Sequence, residues 1–157
     1  MLRSDRLWLR WAVAVLAADL VIHLGMGLLV NDWEGWAVAA GTFLFVLVTG
    51  LVIVGLTFGL LVRWAPKPSP GGRNRAALAA LPTGIASLAA YGIFFTWAPV
   101  LIAPAALLLA REGLGAAGER GGRGYALAGG ALALVSVAFF LSFLVVLFAT
   151  GSYPFGF

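Results

Sequence analysis

Apolar residues fill four stretches of this chain, Trp11–Val30, Trp36–Val62, Ala76–Ala110 and Tyr125–Thr150, and nearly all charged residues stand between them. Each stretch reaches the ~20 residues that a helix needs to cross a hydrocarbon core of ~30 Å. None alternates with a period of two, and in lipid only helices and closed barrels satisfy every backbone group, so the pattern predicts helices. The expected fold is all-α: a polytopic membrane helix bundle of four long transmembrane helices, forming one transmembrane domain over residues 1–157. It divides into a helical hairpin, 1–65, and a second half, 76–150. The breaker-rich linker Pro66-Lys67-Pro68-Ser69-Pro70-Gly71-Gly72 falls between them.

The third stretch is too long for one crossing. Its 35 residues would make a straight helix of ~52 Å. Proline disfavours helix at the residue before it, so Trp97-Ala98-Pro99 is a natural break. The preferred reading is a crossing over about 76–96, an outer turn, and a short fifth or re-entrant segment over about 99–113. The last helix then runs from about 125 to 150. A plain four-helix topology, with both termini on one side, is the alternative.

Tryptophan and charge set an orientation. Trp8 and Trp11, Trp33 and Trp36, Trp64, and Trp97 lie at successive ends of these segments, where an indole satisfies both its apolar body and its N–H. The N-terminus carries a net +2 (Arg3, Arg6 and Arg10 against Asp5), residues 31–35 carry −2, and residues 63–75 carry +4. The positive-inside rule makes the N-terminus and the 66–75 linker cytoplasmic. A turn at Trp97–Pro99 also keeps Arg111, Arg120 and Arg123 inside.

Composition narrows the functional classes. Charged residues make up 10% of the chain and apolar residues 62%, where a soluble domain carries about 25% charged. Mean hydropathy is +1.04. The absence of cysteine removes disulfides, thiol catalysis and thiolate metal sites. The basic residues are few and dispersed beside the spans, which suits anionic headgroups rather than nucleic acid. Arg3, Arg6 and Arg10 ahead of an apolar core resemble a signal peptide, but the apolar stretch continues to Val30, which fits a retained first helix. Richness in Ala, Gly, Leu, Val and Arg suggests a GC-rich bacterial genome, and hence the cytoplasmic (inner) membrane of a bacterium.

The segment Ala76–Gly84, then Trp97-Ala98-Pro99, then Gly118-Glu119-Arg120-Gly121-Gly122-Arg123-Gly124-Tyr125 leading into Ala126–Gly130 resembles an uncharacterised actinobacterial membrane domain. That domain is a glycine-rich hairpin, a basic Gly-Arg-Gly turn and an Ala/Gly-rich final helix. The resemblance covers residues 76–148 and implies an architecture, with no catalytic or ligand residues attached to it.

Two features are candidates for a role. Asp19 and His23 are four residues apart inside the first run, hence on one helix face about a turn apart. Ionisable residues at membrane depth are costly and either satisfy one another as interhelical glue or line a proton or cation path. Both roles fit, with Thr42, Thr49 and Thr57 as neighbouring partners in the first. Small-xxx-small faces form the second feature: Gly55 and Gly59, and Ala126, Gly129, Gly130 and Ala133. These serve packing within the chain or association with another copy or partner. No nucleophile set, metal-ligand set or cofactor motif is present in the sequence. The expectation is a non-catalytic integral membrane protein without cofactor or metal, a small subunit or self-associating scaffold of a membrane complex. The alternative is a small proton-linked transporter or channel using Asp19 and His23. The expected partners are the lipid bilayer and a homo-oligomer or larger membrane complex.

Overall fold

The computed structural model describes residues 10, 11, 13, 14, 17, 21, 33–57, 61, 63–65, 72–93 and 98–150, and every regular element among them is helical. The helices are α1 (Trp33–Leu56), α2 (Arg75–Ile93), α3 (Ala98–Gly115), the single turn α4 (Ala117–Arg120) and α5 (Arg123–Thr150). Arg10, Trp11, Val13, Ala14, Ala17 and Val21 of the first run are helical as well. Pro99 stands in the first turn of α3, where a missing N–H leaves nothing unpaired. Gly121 and Gly122, at φ 67° and 83°, take the left-handed conformations that turn the chain from α4 into α5.

The third apolar stretch is two helices, not one. α2 ends at Ile93 and α3 begins at Ala98. α3 then returns antiparallel, so that Ile102 packs with Ala90 near the end of α2 while Gly113 lies against Ala77 near its start. Arg111 therefore comes back to the Arg75 end. The return segment has 18 residues against 19 in α2, starting one residue before and ending two residues after the 99–113 expected. Residues 94–97, on which the turn itself falls, lie outside the described residues. α5 runs parallel to α2, with Gly129 against Ala80, Ser136 against Ser87 and Phe139 against Tyr91.

These three helices pack on one another, and their core consists of small residues. Among the described residues, twelve of the sixteen buried apolar side chains are alanine, and the other four are Val100, Leu101, Ile102 and Leu109. α1 meets the bundle through its C-terminal part. Ile53 and Val54 pack on the cluster of Val100, Leu101 and Ala105. Beyond α1, Leu61 and Ala65 pack among Ala76, Ala79, Ala80, Leu109 and Ala110. Among the described residues one helical segment, Arg123–Val146, is long and apolar enough to cross a membrane, while Phe43–Leu56 of α1 is a shorter apolar stretch.

The position of Trp11 departs from the interfacial ladder. Its indole Nε1 donates to the carbonyl of Val100 at 3.1 Å, at the reversal end of the bundle and opposite Arg75. The reason is local. In a regular helix the N–H of residue 104 would donate to the Val100 carbonyl, but residue 104 is Pro104, within α3. Proline has no N–H and frees that acceptor. Trp11 is half-exposed and partners a vacated carbonyl, where the ladder had it anchoring the same interface as the 63–75 segment.

Candidate functional site

Two groups of polar side chains are built into the bundle. The first closes its basic end. Asn74 precedes α2 and is 5% exposed. Its Oδ1 accepts from the N–H of Ala77 at 3.1 Å, the cap expected of an asparagine at a helix start. Its Nδ2 donates to the carbonyl of Gly113 at 2.7 Å and to that of Gly121 at 2.8 Å. Gly113 lies in the last turn of α3, where carbonyls lack an intrahelical partner. One amide thus satisfies orphan groups at the ends of three segments. The approach needs glycine: a Cβ on Gly113 would stand 2.8 Å from the backbone of Ala77, and one on Gly122 would stand 2.9 Å from the Ala77 Cβ.

The second group is a buried seam between α2 and α5. Ser87 and Ser136 are both fully buried, and their hydroxyl oxygens are 2.6 Å apart. The Ser136 hydroxyl also lies 3.3 Å from the carbonyl of Ser87, and the Ser87 hydroxyl 3.5 Å from that of Pro99. Tyr91 donates its hydroxyl to the carbonyl of Ser136 at 2.7 Å and meets Phe139 edge to face. Thr83 bonds back to the carbonyl of Ala79 at 2.7 Å. Each hydroxyl has a partner within the bundle. Among the described residues no carboxylate or imidazole joins these bonds, which tie α2 to α5 at this level.

Asp19 and His23 lie outside the described residues, as does Gly59. Of their suggested partners, Thr49 and Thr57 bond through their hydroxyls to the carbonyls of Phe45 and Ile53 on their own helix. The other small residues separate into two sets. Ala126 and Ala133 are fully buried. A Cβ on Gly129 would stand 2.3 Å from the carbonyl carbon of Ala80, and one on Gly130 would stand 3.1 Å from the Ala110 Cβ. Around Gly55 a Cβ would meet nothing within 4 Å. Gly84, which faces Gly129 so closely that its own Cβ would stand 2.5 Å from the Gly129 oxygen, completes the α2–α5 crossing. Among the described residues, no group of three or more His, Asp or Glu is placed to hold a metal ion.

Sequence reasoning passed over Asn74, Ser87 with Ser136 as a pair, and Gly84. A signal for Asn74 was available: an asparagine directly ahead of an Ala-rich helix, after a Pro/Gly linker, is a capping position. The basic end also gathers charge. Arg63, Arg73, Arg75, Arg111, Arg120 and Arg123 lie there with Glu112 and Glu119, and the Arg75 guanidinium stacks on the Trp64 ring with its Cζ 4.6 Å from the centroid. Compared with families of known proteins, with curated proteins and with solved structures, the chain matches none.

Proposed function

We propose that the chain is a multi-pass integral membrane protein without catalytic chemistry, acting as a small subunit or self-associating scaffold of a membrane complex in a bacterial inner membrane. The observation that carries this reading is the inverted distribution of size. Alanine dominates the interior, while Leu44, Phe45, Val48, Leu134, Leu141 and Val145 are each more than half exposed. Water would drive the large residues inward. In lipid the hydrophobic effect does not sort side chains, so close packing of small residues holds helices together and large ones face outward. An exposed apolar surface of this extent suits acyl chains or a protein partner.

Charge supports an orientation with the Asn74 end cytoplasmic, since six arginines against two glutamates gather there. Under this reading α2, α3 and α5 cross the bilayer, and α1 with the first run supplies the remaining spans. Two observations pull the N-terminus in opposite directions: its +2 charge favours the cytoplasmic side, and the Trp11–Val100 hydrogen bond favours the side of the reversal. Single cysteines at Ser4 and Ser69, labelled with an impermeant reagent on intact cells, separate them. Protection of both supports the charge rule, and labelling at Ser4 alone supports the hydrogen bond. Extraction of the chain from membranes by alkaline carbonate would end the membrane reading. The alternative, a proton-linked path through Asp19 and His23, requires Asp19→Asn to abolish flux in proteoliposomes while leaving the chain folded.

A further inference from the structure

Between α2 and the first turns of α5 lies a shallow groove of about 450 Å3, lined by Leu81, Gly122, Arg123, Gly124, Tyr125 and Ala128. Its size falls within the range of small-molecule clefts, roughly 300–1,000 Å3. We propose that this groove seats the headgroup of an anionic phospholipid, with the phosphate at Arg123 and the first carbons of the acyl chains over Ala128 and Leu81. The proposal rests on the membrane reading above and adds to it a discrete lipid site.

Three observations select this occupant. First, the groove is graded in polarity along α5. Arg123 and Tyr125 line it in the first turn of α5, and Ala128 lies five residues beyond Arg123, ~7.5 Å further along the helix at 1.5 Å per residue. That is the order of charge, interface and hydrocarbon in a leaflet, and tyrosine favours the middle position. Second, the charge is complementary. Arg123 makes no hydrogen bond or ion pair among the described residues and is exposed, while Arg75 of the same end is engaged on Trp64. A guanidinium offers five donors in a fork suited to phosphate oxygens. Third, the groove wall is rigid. The Asn74 bond to Gly121 and the Gly129–Ala80 crossing fix α5 against α2 above and below it. A basic pocket between helices on the cytoplasmic side is the setting in which acidic headgroups bind.

The test uses the purified full chain in mild detergent, exposed to an equimolar mixture of phosphatidylglycerol and phosphatidylcholine, with retained lipid counted by native mass spectrometry. The wild-type chain should retain phosphatidylglycerol at least fivefold over phosphatidylcholine. Arg123→Gln should abolish the preference and Arg123→Lys should keep part of it. Ala128→Leu, which fills the groove floor at an exposed helical position and leaves every charge in place, should abolish it as well. Arg120→Gln, outside the groove, should leave it intact. Equal retention of the two lipids in the wild type would overturn the proposal, as would an Arg120→Gln loss equal to that of Arg123→Gln, since general charge would then suffice. Displacement of the lipid by millimolar inorganic phosphate would overturn it in favour of a soluble anion. Failure of the membrane reading shows separately, as extraction by carbonate.

Discussion

Along α2, α3 and α5 the contacts are made by alanine, glycine and serine, whereas along α1 the large residues Leu44, Phe45, Val48, Leu51 and Val52 stand more than half exposed. Both regions are apolar, and they use it differently. In the bundle the backbones touch: the Gly84–Gly129 crossing leaves no room for a side chain. In α1 the glycines Gly41 and Gly55 face open space, and the described contacts to the bundle come from Ile53 and Val54. Where small residues lie opposite small residues, three helices become one body. Where a small residue has no such counterpart, as at Gly55, it meets nothing among the described residues.

The contrast breaks most sharply at Gly129. Gly129→Leu drives a branched side chain into the backbone of Ala80, which cannot move aside as a side chain would. Overpacking ordinarily costs ~1–3 kcal/mol, and this position should exceed it and separate α5 from α2. Gly55→Leu should change stability by less than about 0.5 kcal/mol, as an open surface site does. Denaturant titration of the two variants in the same detergent measures the difference, and equal losses would remove the distinction between the regions.

Asn74 comes next. Removing its amide costs a cap worth ~1 kcal/mol and leaves the buried Gly113 carbonyl bare at ~1–3 kcal/mol, while the exposed Gly121 carbonyl returns to water. Asn74→Ala should therefore destabilise the bundle by roughly 2–4 kcal/mol. Asn74→Asp is the sharper experiment. Aspartate caps helices as well as asparagine does, but it presents an oxygen to two carbonyls and should be no better than alanine. Full stability in the aspartate variant would show that the cap alone matters.

The link between the bundle and the first run is weaker. Trp11→Phe should loosen that attachment by about 1 kcal/mol, the worth of an ordinary hydrogen bond. Pro104→Ala returns an N–H to α3 for the Val100 carbonyl, so in that background Trp11→Phe should cost less. Additive losses would show that the indole does not answer to the proline. The smallest effect belongs to the buried seam. A double-mutant cycle of Ser87→Ala and Ser136→Ala should give a coupling of ~0.6 kcal/mol, the average for such bonds in membranes. A coupling above about 2 kcal/mol would require the seam to do more than hold register.

Much of the fold was legible before any coordinate. The helical class followed from continuous apolar runs and the reversal within the third run from length and proline, although the helices part between Ile93 and Ala98 and Pro99 is itself helical, and the last helix began within two residues of the expected position. These features are local or additive along the chain, so a single sequence carries them. Alanine at 126 and 133 and glycine at 129 and 130 could be picked out by spacing, but spacing does not say what stands opposite, and Gly55 carried the same signature into open space. Trp11 misled for a related reason. Which end of the bundle an indole reaches depends on an acceptor such as the Val100 carbonyl, left open by Pro104, 93 positions along the chain, and no local pattern shows it. Asn74 was missed because an amide reads as a linker residue until its two distant carbonyls are seen.

That amide also has a consequence for the order in which the protein is made. The carbonyls that hold Asn74 belong to residues 39 and 47 positions downstream. At ~5–20 residues per second of synthesis, the second arrives about 2–9 seconds after Asn74 itself. Until then the side chain has no protein partner at Gly121, and water must serve in its place. The start of α2 is thereby incompletely held until the turn at Gly121-Gly122 has been made. Tension on nascent chains of increasing length should rise once Gly121 can reach Asn74, and the rise should vanish in Asn74→Ala. A side chain that looks like a static clasp in the finished molecule is, during synthesis, a latch that sets when α5 begins.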